Sequence, residues 1–237
     1  MDFNNIEQLS LFDIFKGYYK QLPFEKRKKE GLRYYFDNDW FGYGDSISLY
    51  SMIRYAIPKR IIEIGSGYSS AVTLDTNEYF LNSSIQITFI EPYTRRLESL
   101  LKVNDKKICT IIPNNLQSVN LSIFNSLEKN DILFIDSSHI YSPGSDVEMI
   151  FNKILPILNK GVIIHFHDIM YPFIYPESWL SRGYNETSYV KNLLEKDDSF
   201  KIIFFNTYMC ETYREKFEAD MPLYLNNAGG SIWLQKK

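Results

Sequence analysis

The sequence predicts an α/β fold, a doubly wound and mostly parallel seven-stranded sheet with an antiparallel edge strand and an N-terminal helical extension. Three observations carry this expectation. Seven short β-rich runs recur along the 237 residues, and helix-like segments separate the first five, the alternation that builds a parallel sheet covered on both faces. Two of the runs, Ile132–Ile135 and Val162–Ile164, are continuously apolar and lead into acids, as strands buried on both faces do. An excursion between Asn206 and Gly230 lets the last two strands pair antiparallel at the sheet edge.

In chain order, Ile6 to about Leu22 has helical spacing, and Asp45 to about Ala56 reads as a second helix with Asp45 as its N-cap. The strands are expected at Arg60–Ile64, Gln86–Ile90, Ile108–Ile112, Asp131–Ile135, Val162–His167, Lys201–Phe205 and Ser231–Leu234. Helices are expected over 69–80, 93–103, 122–128 and 146–158. Right-handed crossovers between the first five strands place these helices on both faces. The aromatic and proline-rich stretch from Asp168 to about Asn185 is too long for an ordinary connection and reads as a lid or binding loop. The division that follows is 1–55 as N-terminal extension and lid, and 56–237 as one α/β domain.

Composition narrows the function classes. A formal net charge of −3 without a run of like charges gives no support to binding driven by nucleic-acid or membrane electrostatics. No stretch approaches a membrane span, and the N-terminus lacks a basic segment followed by an apolar one, so neither a signal peptide nor a span is expected. Cys109 and Cys210 have no Cys-x-x-Cys spacing, which argues against a disulfide framework or a zinc cluster and makes the cytoplasm the expected location. The aromatic N-terminal extension offers a homodimer surface.

The first strand runs through Glu63 into Gly65-Ser66-Gly67 and a helix start at Ser69 and Ser70. Glycines there permit a tight turn and close ligand approach, and the helix N-terminus supplies free N–H groups. A dinucleotide fingerprint wants glycine where Ser70 stands, and no P-loop Gly-Lys-Ser/Thr is present. Glu63 suits a ligand with an ammonium group near the loop. Glu91, 24 residues beyond Gly67 at the end of the second strand, can accept both hydroxyls of a ribose. Asn114, Asn115 and Gln117 follow the third strand, where an adenine edge would lie.

These residues resemble the class I S-adenosylmethionine-dependent methyltransferases over roughly residues 58–206. The strings Asn130–His139, Gly144–Asp146, Gly161–Ile169 and Tyr175–Trp179 are similar to a bacterial subgroup related to metal-dependent O-methyltransferases of sugars and catechol-type phenols. The resemblance implies a Rossmann-like fold and S-adenosylmethionine as cofactor. It assigns Glu63, Gly65, Ser66, Gly67, Ser69, Glu91, Gln117, Asp136 and Ser137 to cofactor binding. The acceptor it implies is a sugar, a glycan or another small molecule.

All three histidines fall between His139 and His167, at or near the ends of the fourth and fifth strands. With Asp136 and Asp168 they should converge beside the glycine loop. The resemblance implies a divalent cation, Mg²⁺ or Mn²⁺, held by Asp136, His167 and Asp168, with His139 as general base and His167 also in the catalytic cluster. His167 stands where an acid is usual, which favours a transition metal or a site without metal. His165, in mid-strand, reads as a hydrogen-bonded core residue. Tyr171, Trp179, Arg182 and Tyr184 are expected in the acceptor pocket, and Trp40 and Phe41 at its lid. Two other classes stay open: a metal-dependent hydrolase using the His/Asp cluster, which leaves Glu63, the glycine turn and Glu91 without a use, and a non-catalytic nucleoside-ligand sensor.

Overall fold

The computed structural model describes residues 1–237. α1 (Asn5–Tyr19) and α2 (Tyr43–Ala56) precede β1 (Arg60–Ile64), followed by α3 (Tyr68–Phe80), β2 (Gln86–Ile90), α4 (Arg95–Leu100), β3 (Cys109–Ile112) and β4 (Ile132–Ile135). Next come α5 (Asp146–Met149), a π-helical turn at Ile150–Ile154, α6 (Leu155–Ile157) and β5 (Ile163–Phe166). The chain ends with α7 (Glu186–Lys196), β6 (Phe200–Phe205), α8 (Asn206–Thr212), α9 (Arg214–Asp220) and β7 (Ile232–Lys236).

The seven strands form one sheet in the order β3-β2-β1-β4-β5-β7-β6. β1 to β5 are mutually parallel, and β7 runs antiparallel between β5 and β6. Strand order reverses beside β1, so the crevice at the C-terminal ends of β1 and β4 is the expected place for a ligand. β4 and β5 are buried at every position, which explains the unbroken apolar run of β4 and the apolar β5 broken only by His165. All seven expected strands are present. Three helices go beyond the expectation: α7 follows the 168–185 connection, and α8 and α9 lie within the 206–230 excursion. The helix expected over 122–128 is a 3-10 turn at Leu121–Ser126.

The N-terminal extension is continuous with the core. Phe12 and Phe15 of α1 are fully buried, Phe15 against Phe204 of β6 and Phe12 against Phe217 of α9. Asp45 corrects the sequence expectation: α2 begins two residues earlier, after Gly42, so Asp45 lies inside the helix and caps nothing. It is buried instead, and Oδ1 accepts hydrogen bonds from Ser231 Oγ at 2.5 Å and the Gly230 amide at 3.0 Å. Gly229, at φ +73°, leaves room for that carboxylate, since a Cβ there would collide with it.

Candidate active site

A cavity of about 610 Å³ opens over the C-terminal ends of β1, β4 and β5, with Gly65–Ser69 on one side and His139, His167 and Asp168 on the other. Its walls come from segments distant in sequence: 38–42, Asp45, Arg96, 179–184 and 227–230. A second cavity of about 520 Å³ adjoins it past Gly65, Glu91 and Asp136–Ser138, reaching Asn115, Leu116 and Gln117. Together they make one cleft along the strand ends.

The glycine turn is fitted to its neighbours. Gly65 has φ +78°, and a Cβ there would strike the Asp136 carbonyl across the switch point. Glu91 secures the turn, accepting the Ser66 N–H at 3.0 Å through Oε2 and the Tyr93 N–H at 2.7 Å through Oε1. Ser66 Oγ has no partner. The Glu63 carboxylate is wholly enclosed beneath the loop. There Oε1 accepts from Ser69 Oγ at 2.6 Å and Ser70 Oγ at 2.7 Å, while Oε2 has no partner. Burial pushes its carboxyl up to about 8, against the pull of the two serines. Ser69 therefore serves the loop from below and Gly65, Ser66 and Gly67 line it from above. Gln117 lies on the second cavity, where Nε2 donates to the Gly144 carbonyl at 2.9 Å.

His139 is the centre of the other side. Its φ of +61° is left-handed, and its carbonyl accepts the N–H groups of Asn185 and Glu186 at the start of α7. This interlock brings Glu186 under the imidazole, whose Nδ1 lies 2.8 Å from Glu186 Oε2. Ser137 Oγ donates to the same carboxylate. The far nitrogen, Nε2, faces Asp136 Oδ1 at 3.3 Å and Asp168 Oδ2 at 3.6 Å. Burial opposes a charge on His139, but the hydrogen bonds and charges of Asp136 and Glu186 prevail and raise its pKa well above the ordinary value. His167 is raised too, against burial, chiefly by Asp168 and then by Asp136 and Asp45. Asp136 is lowered, as His167 and His139 outweigh its desolvation.

His165 is apart from this site. It is fully buried, stacked on Phe134 with ring centroids 3.9 Å apart, and its Nε2 meets Ser231 Oγ at 2.8 Å. Burial, then the nearby His167, pushes its pKa well down, as expected of a core histidine. Asp136, His167 and Asp168, the expected cation ligands, all border the cavity, His167 Nε2 lying 3.5 Å from Asp168 Oδ1. His139 Nε2 approaches both aspartates, and no three acidic, histidine or cysteine side chains are grouped as a preformed metal site.

Trp40 and Phe41 line the cavity as expected. Trp40 lies under the Arg96 guanidinium, 3.6 Å from the ring centroid, and Phe41 packs on His167. Trp179, Arg182 and Tyr184 also line it. Tyr171 does not: it packs in an aromatic cluster with Phe3, Phe205 and Tyr208, and its ring is spent on anchoring the chain N-terminus. Three site residues escaped the sequence reading. Glu186, Asp45 and Arg96 carry no local motif, and only tertiary packing brings them to the cleft.

Residues 62–169 match a family model described as a methyltransferase domain. An uncharacterized protein of Archaeoglobus fulgidus is 34% identical over 137 residues, a match that covers 56% of this chain and 60% of that protein. The chain thus spans less than two thirds of that relative's length. The fold is shared with an O-methyltransferase of Streptomyces achromogenes involved in tomaymycin synthesis, solved with S-adenosylmethionine (TM-score 0.54, 14% identity, 96% of this chain and 89% of that one). It is also shared with a methyltransferase of Podospora anserina solved with S-adenosylhomocysteine (TM-score 0.52, 15% identity, 96% and 88%).

Proposed function

We propose that this chain is an S-adenosylmethionine-dependent methyltransferase that methylates a hydroxyl of a sugar, a glycan or a related small molecule. The observation that carries the reading is the single cleft across the sheet's switch point, with a glycine cradle at one end and the Glu186–His139 pair at the other. The methyltransferase-domain match over 62–169 and the cofactor-bound structures of the same fold support it.

The residues fit the cofactor. Gly65, without a Cβ, lets the turn close on the Asp136 carbonyl and shape the cradle, Ser66 Oγ is an unused polar atom at the loop, and Glu91 keeps lone pairs for a ribose. The second cavity, lined by Asn115, Leu116 and Gln117, suits the base. When bound, the cofactor supplies an electrophilic methyl group on a sulfonium. The chain's task is to orient the acceptor oxygen in line and remove its proton.

In this reading His139 takes that proton at Nε2. Glu186 accepts the Nδ1–H, fixes the tautomer and stabilises the imidazolium that forms, as a third group orients the base in other acid–base sites. Asp136 and Asp168 accept from the acceptor's remaining hydroxyls, and His167 completes their charge balance. A divalent cation held by Asp136, His167 and Asp168 would lower the acceptor hydroxyl's pKa and assist the same proton removal.

Calorimetry with S-adenosylmethionine, followed by adenosylhomocysteine release over a panel of hydroxylated acceptors, tests the proposal. Binding and turnover are expected. A hydrolase predicts no binding, and a sensor predicts binding without turnover. His139→Ala should lower turnover at least about 10²-fold with cofactor affinity preserved. A loss of twofold or less removes His139 as the base.

A further inference from the structure

The charges of the cleft are unevenly matched. Asp136 and Asp168 face histidines, Glu91 accepts two backbone N–H groups, and Asp45 is held by the 230–231 strand entry. The two cavity arginines, Arg96 and Arg182, have no such partner, and of the two Arg182 stands beside the proposed base. The Arg182 guanidinium lies over the Trp179 ring, 4.5 Å from the centroid, and 5.7 Å from that of Tyr184. Tyr184 in turn packs on His139, with ring centroids 4.9 Å apart. A guanidinium stacked on rings has its face engaged and its in-plane N–H edge free. Tyr184 thus lies next to both this cation and the proposed base. Gly183, at φ +72°, turns the chain back so that Arg182 and Tyr184 serve one wall.

Resting on the methyl-transfer reading above, we propose that the acceptor is a hydroxylated ring bearing a carboxylate, and that Arg182 is its specificity-determining residue. The ring packs on the Trp179 and Tyr184 faces, its carboxylate takes the free guanidinium edge, and its hydroxyl is directed to His139. Trp179 and Tyr184 preorganise the cation, so little side-chain freedom is lost on binding.

The test uses matched pairs differing only in charge: catechol against 3,4-dihydroxybenzoate, and glucose against glucuronate. Binding to the adenosylhomocysteine-loaded protein is measured by calorimetry and turnover by adenosylhomocysteine release. In at least one pair the acid should bind about 10-fold or more tighter than its neutral parent, as expected for charge-assisted hydrogen bonds. Arg182→Ala should bring that ratio within about twofold of one, and Arg182→Lys should restore part of it. Arg182 is exposed, and unchanged adenosylhomocysteine affinity certifies that the variants are folded. Equal binding within both pairs, no binding by either pair, or a preference that survives Arg182→Ala overturns the inference. Failure of the wild type to bind adenosylhomocysteine instead overturns the methyl-transfer reading beneath it.

Discussion

Glu63 shows how a residue can be visible in sequence while its surroundings are not. An acid two residues before a glycine turn is visible in sequence, but its burial is set by Ser69 and Ser70 folding over it, which no local pattern reports. Its folded-state carboxyl, raised to about 8, makes a stability prediction. A raised carboxyl stabilises the fold fully below its unfolded value near 4.5 and loses that contribution as pH rises through about 8. Glu63→Gln keeps an acceptor for the serines and removes the charge. The variant should match wild type at pH 4 and exceed it by about 3–5 kcal/mol at pH 9, by urea denaturation. Parallel pH profiles would show that Glu63 ionises freely. His139 gives a second pH test, in activity. Its imidazole is held protonated by Asp136 and Glu186, and only the neutral form can act as base. Turnover should therefore rise with pH through a limb above the ordinary histidine value of about 6.5, in a kcat profile. A limb at or below 6.5 assigns the proton transfer elsewhere.

At the scale of elements, the least legible part of the chain is the segment between α1 and α2, which has no regular structure and no motif. It is positioned by Arg33, a buried guanidinium whose Nη1 lies 2.7 Å from both Asp75 and Glu78 and whose Nε donates to Asp105 at 2.9 Å. Asp75 also accepts the backbone N–H groups of Arg33 and Tyr34, fastening the segment to α3. From there the Tyr34 hydroxyl donates to the Phe41 carbonyl, which fixes Trp40 and Phe41 at the cleft. Removing the cation strands two buried carboxylates, so Arg33→Ala should cost about 3–5 kcal/mol in urea denaturation. It should also weaken cofactor binding by calorimetry, because the cleft rim loses its anchor. A loss under about 1 kcal/mol with intact binding would mean the segment is held by its aromatic packing alone. The strands, by contrast, were readable because burial on both faces demands uninterrupted apolar runs, as in Ile132–Ile135. α7 escaped because its role is tertiary: it exists to bring Glu186 to His139 across 47 positions of sequence.

For the whole molecule, the cleft is where separately stabilised parts meet: the β1 turn, the ends of β4 and β5, the Arg33-anchored segment, the 179–184 wall and the 227–230 strand entry. The sequence carried the strand ends because chemistry there is written in short strings such as Gly65–Gly67. It could not carry the walls, which depend on what the intervening chain packs against. A ligand bridging these parts binds only the assembled state, so it must stabilise the molecule as a whole. At 100 times its Kd, adenosylhomocysteine should contribute about 2.7 kcal/mol, a rise in Tm of about 5–10 °C for a chain of this size. Gly65→Ala should abolish the rise, since its Cβ would meet the Asp136 carbonyl and force apart the two strand ends that form the cradle. Nicotinamide adenine dinucleotide should give no rise, because Ser70 stands where close helix–strand packing around a pyrophosphate requires glycine. A shift from the dinucleotide but not from adenosylhomocysteine would assign the cradle to a phosphate ligand and leave the Glu186–His139 pair without a methyl donor to serve.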